Sequence, residues 1–214
     1  MEKIIINIGR QLGSGGREIG KWLSEQLGLA YYDRELLRIA AEESGFSPEI
    51  FARSDEHKGF FKAALAGITP FFGHGSGAFY NDSLSEESLF RFQADAILKA
   101  AASGSCVFIG RCADYILRNE KACLNVFISA DMADRIARVA RYEKVDEATA
   151  RRHIETGDAH RASYYNFYSS GTWGAASTYH LCLNSSVLGI EGTARFIKEF
   201  VERKIQGRTA EAGR

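Results

Sequence analysis

Lys3-Ile4-Ile5-Ile6-Asn7-Ile8-Gly9-Arg10-Gln11-Leu12-Gly13-Ser14-Gly15-Gly16-Arg17-Glu18-Ile19-Gly20 is the stretch on which the fold turns. Its first part, Lys3 to Ile8, is a nearly continuous β-branched run, the pattern of a strand buried on both faces in a parallel sheet. Glycines follow, and then Ile19, Leu23 and Leu27 recur at helical spacing up to Gly28, a helix stop. A strand running through a glycine loop into a helix presents backbone N–H groups and a helix N-terminus to an anion. Five glycines, Gly9, Gly13, Gly15, Gly16 and Gly20, fall in this short stretch. The full GxxxxGK[ST] pattern is absent. Aligned on Gly16, the lysine position holds Arg17 and the Ser/Thr position holds Glu18. Arg17 can still bring charge to a phosphate, bidentately rather than as a point charge. Glu18 is either a carboxylate ligand for a metal or simply a favourable negative charge in the first helical turn. A glycine-rich turn that binds nothing is the competing reading of the loop.

The rest of the chain continues the alternation. Leu29 to Tyr32 reads as a second strand, and Asp33 caps a helix, DRELLRIAAEESG, that ends at Gly45. Residues 46–82 read as irregular, with the Gly- and Phe-rich stretch 67–80 inside them, and Ser83 with Glu86 forms a capping box for the next helix. Ser105 to Ile109 and Leu124 to Ser129 are the third and fourth strands. Asp131 caps an arginine-rich helix, a polar helix spans about Asp146 to Tyr168, and Tyr179 to Leu183 is the fifth strand before a closing helix. The expected fold is α/β: a five-stranded parallel sheet with helices on both faces, in three layers. Such sheets bind ligands at the carboxyl ends of their strands, and every charged motif below follows a strand.

Composition narrows the function. The 214 residues carry 27 Lys+Arg against 27 Asp+Glu, with 45% hydrophobic and 25% charged residues. That excludes a disordered chain and a protein holding nucleic acid by bulk positive charge. Within that neutral total, Arg outnumbers Lys 18 to 9, and glycine is abundant at 21 against 2 Pro. No stretch reaches the roughly 18 apolar residues of a membrane span, and the N-terminal apolar run is too short for a signal peptide. The four cysteines, Cys106, Cys112, Cys123 and Cys182, make no CxxC pair and no metal-ligand spacing with the histidines. A cytoplasmic protein with no nucleic-acid or membrane partner is expected.

The arginines are placed rather than scattered. Arg111 closes strand three in Gly110-Arg111-Cys112, where a sheet strand meets a ligand cleft. Arg135, Arg138 and Arg141 form a stripe on the helix after strand four. Asp158 and Arg161 stand at i, i+3 on the following helix. Each motif taken alone also fits a surface ion pair or a solvated helical face.

Taken in order, IINIGRQLGSGGREIGKWLSEQLGLAYYDRELL, CVFIGRCADYIL, NVFISADMADRIARV, Asp158-Ala-His-Arg161, Trp173 and YHLCLNSS resemble the cytidylate kinase-like family, in the P-loop nucleoside monophosphate kinase group, from about residue 3 to 205. The resemblance implies transfer of the γ-phosphoryl of ATP, with Mg2+, to a nucleoside monophosphate, CMP or dCMP first. It implies that Gly13, Ser14, Gly15, Gly16, Arg17 and Glu18, with Arg135, hold ATP. Arg17 takes the place of the lysine, and Glu18 is the metal-site candidate. Asp33, Arg34, Arg111, Asp158 and Arg161 fall on the acceptor side. Arg17, Arg138, Arg141 and Arg161 are placed in catalysis, as charge that aligns donor and acceptor. The implied layout is one domain over 1–207: a core of 1–32, 105–140 and 177–207, a helical monophosphate-binding insertion over 33–104, a lid over 141–176, and a frayed tail over 208–214. Two positions depart from true cytidylate kinases. The loop lacks the lysine, and Cys112 stands where they carry an aspartate after the Gly-Arg pair; a thiol is a poor acceptor for a cytosine amino group. A non-catalytic nucleotide-binding sensor, and a kinase for a different small metabolite, therefore stay open, as does assembly into a homo-oligomer.

Overall fold

The computed structural model describes residues 2–33 and 78–212, with side chains described for 2–33, Glu87 and 90–207. The helix expected over 33–45, most of the irregular stretch 46–82 and the candidate Arg34 lie outside the described residues. The chain divides into two units, Met1–Asp33 with Ala100–Arg214, and Arg34–Lys99.

Five strands form one parallel sheet in the order β2-β3-β1-β4-β5. They are β1 (Ile5–Arg10), β2 (Ala30–Tyr32), β3 (Cys106–Ile109), β4 (Cys123–Ser129) and β5 (Leu181–Asn184). β1 is central because both of its faces are apolar: Ile5, Ile6 and Ile8 are fully buried. It pairs Ile5 with Cys106 of β3 and Ile5 with Cys123 of β4. The strand runs two residues past the expected Ile8, because Gly9 and Arg10 stay in register with Phe127 and Ile128. The sheet is therefore extended under the loop, and Arg10 leaves from its carboxyl edge.

Helices cover the sheet in a three-layer α/β arrangement. On one face α1 (Gly16–Leu27) places Ile19 and Leu23 against Ile4, Ile6 and Ile8. Gly28, left-handed at φ 64°, stops it by donating its N–H to the Ser24 carbonyl. The closing helix α6 (Ser185–Ala212) adds Ala194, Ile197 and Val201 to the same core, kinks at Gly189, and continues through residues expected to fray. The opposite face carries Phe108, stacked on Tyr32 with centroids 5.3 Å apart, and Asn7, whose amide donates to Asn125 at 2.8 Å. Helix α2 (Ala78–Ser103) leads into β3 and starts five residues before the expected capping box at Ser83. A single turn, α3 (Ala113–Ile116), follows β3.

Beyond β4, α4 (Met132–Glu143) and α5 (Glu147–Tyr168) pack as a pair through Ile136, Val139, Ala150 and Ile154. Asp146 caps α5 by accepting the Thr149 amide at 2.7 Å. Asp131 sits at the start of α4 but accepts from Asn184 at 2.8 Å instead of capping its own helix. Among the described helices none is long and apolar enough to cross a membrane.

Candidate active site

The loop after β1 is built so that its carbonyls are held by protein donors, while several of its amides are left without a protein acceptor among the described residues. Gly13 (φ 77°) and Gly15 (φ 80°) are left-handed on either side of Ser14, and the helix starts at Gly16. This handed alternation is the geometry that gathers successive N–H groups around an anion. Every carbonyl from 11 to 14 has a donor. Ser14 Oγ donates to Gln11 O at 2.9 Å, Arg135 Nε to Leu12 O at 2.8 Å, Arg138 Nη1 to Gly13 O at 3.0 Å, and Ser185 Oγ to Ser14 O at 2.7 Å. Among the described residues the amides of Gly13, Gly15, Gly16 and Arg17 meet no protein acceptor.

The clasp that holds this loop comes from α4 and α5. Asp158 accepts the Leu12 amide at 2.7 Å, forms a close ion pair with Arg135, and accepts from Arg161 at 3.4 Å. Leu12 itself plugs the apolar seam between α4 and α5. A methyl on Gly13 would meet the Arg135 carbonyl at 2.8 Å, so the loop lies directly on α4. Arg135 is 4% exposed, and its guanidinium serves the loop backbone and Asp158. Arg138 likewise serves Gly13 O. Arg141, at the exposed end of α4, lies over the Tyr142 ring at 5.3 Å. The stripe seen in the sequence thus divides: two arginines hold the loop and one stays at the surface.

A second set of guanidiniums converges where β1 and β3 end. Arg17, half exposed, pairs with Asp33 at 2.7 Å. Arg10 keeps some surface open to solvent, yet its pKa is pulled down to about 9, chiefly by burial, with Arg161, Arg111 and Arg17 adding repulsion and Asp33 opposing them. Burial also lowers Arg161, which Asp158 partly offsets. Arg111 sits in a turn where Gly110, Arg111 and Cys112 all have positive φ, at 69°, 61° and 55°. Left-handed non-glycine residues cost about 1–3 kcal/mol each and collect at functional sites. Burial pushes the Cys112 thiol up to about 12, so it stays protonated. Asp114, next in this turn, is raised by burial and accepts from Tyr165 at 2.6 Å.

For magnesium the donor set is thin. Among the described residues no group of three His, Cys, Asp or Glu is placed to hold a metal ion. Glu18 is exposed and accepts a close hydrogen bond from Tyr142. These residues fit an ion carried by nucleotide phosphates and water, which is how magnesium is usually held at phosphoryl-transfer sites, and they do not form a protein cage.

A strand order of 2-3-1-4-5, a left-handed glycine loop on the central strand, and arginines at the strand ends together define a P-loop kinase core. Residues 5–187 match the cytidylate kinase-like family. The chain belongs to that family. A solved structure of an uncharacterized protein from Eubacterium ventriosum is similar to it at 27% identity, with a TM-score of 0.69, covering 94% of this chain and 99% of that one. Shikimate kinase from Bacteroides thetaiotaomicron shares the fold at 13% identity and a TM-score of 0.53, covering 94% of this chain and 99% of that one. No curated protein matches the chain.

Sequence reasoning assembled the loop and named most of its surrounding arginines. It gave Ser185, Gln11 and Leu12 no role. Gln11 donates its N–H to Ile128 O at 3.0 Å and accepts the Ala130 amide at 3.3 Å, tying the loop to the end of β4. A serine pair directly after strand five, Ser185-Ser186, was the available signal for the Ser14 contact.

Proposed function

We propose that this member of the cytidylate kinase-like family transfers the γ-phosphoryl group of ATP to a nucleoside monophosphate, with CMP and dCMP the first acceptors to try. The observation that carries the reading is the loop whose carbonyls are held by donors while the amides of Gly13, Gly15, Gly16 and Arg17 meet no protein acceptor among the described residues, with guanidiniums gathered around Arg10. Phosphoryl transfer asks for alignment and positive charge more than for covalent chemistry. The acceptor phosphate oxygen attacks the γ-phosphorus, the bond to the β-phosphate bridging oxygen breaks, and ADP leaves. In this reading the amides of Gly13, Gly15, Gly16 and Arg17 bind the donor phosphates, and the buried Ser14 fixes the turn between them through Gln11 and Ser185. Arg111 and Arg161 orient the acceptor phosphate, with Asp33, paired to Arg17, also on the acceptor side. Arg138 and Arg135 act by fixing the loop, and Arg141 is the lid charge free to move onto the phosphates. Magnesium carried by ATP would supply charge neutralisation at the phosphates, with Glu18 the nearby carboxylate candidate and no protein cage around it among the described residues. A cytoplasmic setting, where ATP is abundant, suits this chemistry.

One observation favours a different small-molecule acceptor within the same chemistry: the buried, protonated Cys112 offers the cytosine amino group no carboxylate. Coupled ADP-release assays with CMP, dCMP, UMP, AMP and GMP separate the cases. Turnover with CMP or dCMP supports the proposal. ATP binding by calorimetry without turnover on any of the five moves the acceptor elsewhere or leaves a nucleotide sensor. No ATP binding overturns the donor assignment.

A further inference from the structure

The position of Arg10 carries an inference that rests on the phosphoryl-transfer reading and deepens it. In GxxxxGK[ST] the lysine follows the last loop glycine at the start of the helix. Here the last left-handed loop residue is Gly15, the N-cap of α1, and the helix begins at Gly16. The register set by the backbone therefore puts Gly16 at the lysine position and Arg17 at the Ser/Thr position. Counting back through the motif from Gly15, the position of the first glycine is occupied by Arg10. The chain has glycine where the motif has lysine, and arginine where the motif has its first glycine.

The side chains explain the exchange. A Cβ built on Gly16 would lie 2.6 Å from Arg10 Cβ and 3.0 Å from Arg10 Cγ, so Gly16 cannot carry a side chain while Arg10 takes this course. At its far end the Arg10 guanidinium runs against Gly110, where a Cβ would collide with Nη1. Arg10 thus crosses the first turn of α1 between two glycines that make room for it, from the end of β1 toward the end of β3. Its neighbours there are Arg17, Arg111 and Arg161, with Asp33 the opposing charge. A side chain serving only stability would not be set among like charges in a channel cleared of two Cβ atoms. The arrangement suits a group that meets an anion.

We propose that Arg10 is the phosphate-contacting cation of this loop, replacing the motif lysine from the opposite side of Gly16, and that Arg17 sits at the Ser/Thr position with a supporting role through Asp33. The ligand class is a polyphosphate, the β- and γ-phosphates of a nucleoside triphosphate.

The test uses the full chain and two readouts. Calorimetry with inorganic tripolyphosphate and with ATP measures the anion site without catalysis, and ADP release measures turnover. Arg10→Met keeps the aliphatic stem over Gly16 and removes the charge. Its unliganded melting temperature is expected at or above that of the wild type, because a like-charge contact is removed. Its affinity for tripolyphosphate is expected to fall at least about 100-fold, the scale of losing a preorganised charge donor, whereas Arg17→Ala falls less. The double variant Arg10→Gly with Gly16→Lys is expected to regain a large part of the lost binding, which a purely structural role for Arg10 would not produce. Tripolyphosphate binding lost in Arg10→Met without turnover on any nucleotide in the wild type upholds Arg10 and removes only the acceptor. Equal binding by wild type and Arg10→Met, or binding lost in Arg17→Ala alone, overturns the inference. So does a wild type that binds neither polyphosphate.

Discussion

Replacing Asp158 by alanine tests whether the glycine loop is held by α5 or only faces it. In the structure the carboxylate has three partners: the Leu12 amide at 2.7 Å, the Arg135 guanidinium in a close pair, and Arg161 at 3.4 Å. The side chains of the main pair are 5% and 16% exposed, so solvent screens it weakly. Removing one partner of a buried pair leaves the other charge uncompensated, which costs about 3–5 kcal/mol. For a domain of this size each kcal/mol lowers the melting temperature by about 2–4 °C, so the expected drop is roughly 6–20 °C. ATP affinity should fall as well, since the Leu12 amide loses its acceptor and the loop its fixed conformation. In the double variant Asp158→Ala/Arg135→Ala the losses should sum to less than the two single effects, because the orphaned charge has gone. Differential scanning calorimetry and nucleotide titration read both quantities. A direct contact between Asp158 and the acceptor nucleotide, the role implied by the family resemblance, predicts another pattern: an unchanged melt and a raised KM for the acceptor alone. An Asp158→Ala protein that melts like the wild type refutes the clasp.

Two further variants probe neighbouring parts of the same machinery. Gly13→Ala forces a left-handed alanine, at about 1–2 kcal/mol, and sets its methyl 2.8 Å from the Arg135 carbonyl, adding about 1–3 kcal/mol of overpacking. A lower melting temperature with ATP binding lost is expected, and wild-type melting and binding would show that the loop is free to shift off α4. Tyr165→Phe removes the hydroxyl that donates to Asp114 at 2.6 Å, a hydrogen bond to a charged group worth about 1.5–3 kcal/mol. Burial holds the Asp114 pKa above its unfolded value, so the native state binds the extra proton and stability declines as pH rises through that folded pKa. The Tyr165 hydrogen bond lowers this pKa, so in the variant the decline, which starts at the same unfolded pKa, continues to a higher pH than in the wild type. The gap between the two melting curves should be widest at neutral pH and shrink in acid, where both carboxyls are protonated. A gap that does not change with pH would show that Asp114 is not the partner that matters.

The sheet was legible because β1, β3 and β4 are apolar on both faces, and a doubly buried strand has few other sequences. Their ends were less so. Gly9 and Arg10 read as loop, yet they remain strand because parallel neighbours pair with them, and pairing between segments some 120 residues apart leaves no local trace. The start of α2 was missed for the opposite reason: Ser83 and Glu86 have the local form of a cap, but the helix is already under way from Ala78. At the site, residue type was informative and role was not. The spacing of Arg135, Arg138 and Arg141 says that they share a helix face; it cannot say that the face meets the carbonyls of Leu12 and Gly13. Likewise Gly16 and Arg10 look unrelated in the chain. Only the direction of a Cβ that glycine lacks shows that one residue makes room for the other.

Two costs are concentrated at the carboxyl ends of β1 and β3, and they have one explanation. The turn Gly110-Arg111-Cys112 places two non-glycine residues in the left-handed region, at about 1–3 kcal/mol each. Beside it, Arg10, Arg17, Arg111 and Arg161 raise one another's electrostatic energy with Asp33 as the opposing carboxylate on Arg10. The backbone strain does nothing to relieve the like-charge repulsion around Arg10. The turn instead keeps Arg111 beside the cluster, and the missing Cβ of Gly110 keeps the Arg10 guanidinium there too. An anion at this place would convert repulsion among guanidiniums into attraction toward a shared charge, which offsets both costs at once. On the reading proposed above, the same anion would meet the amides of Gly13, Gly15 and Gly16, which have no protein acceptor among the described residues.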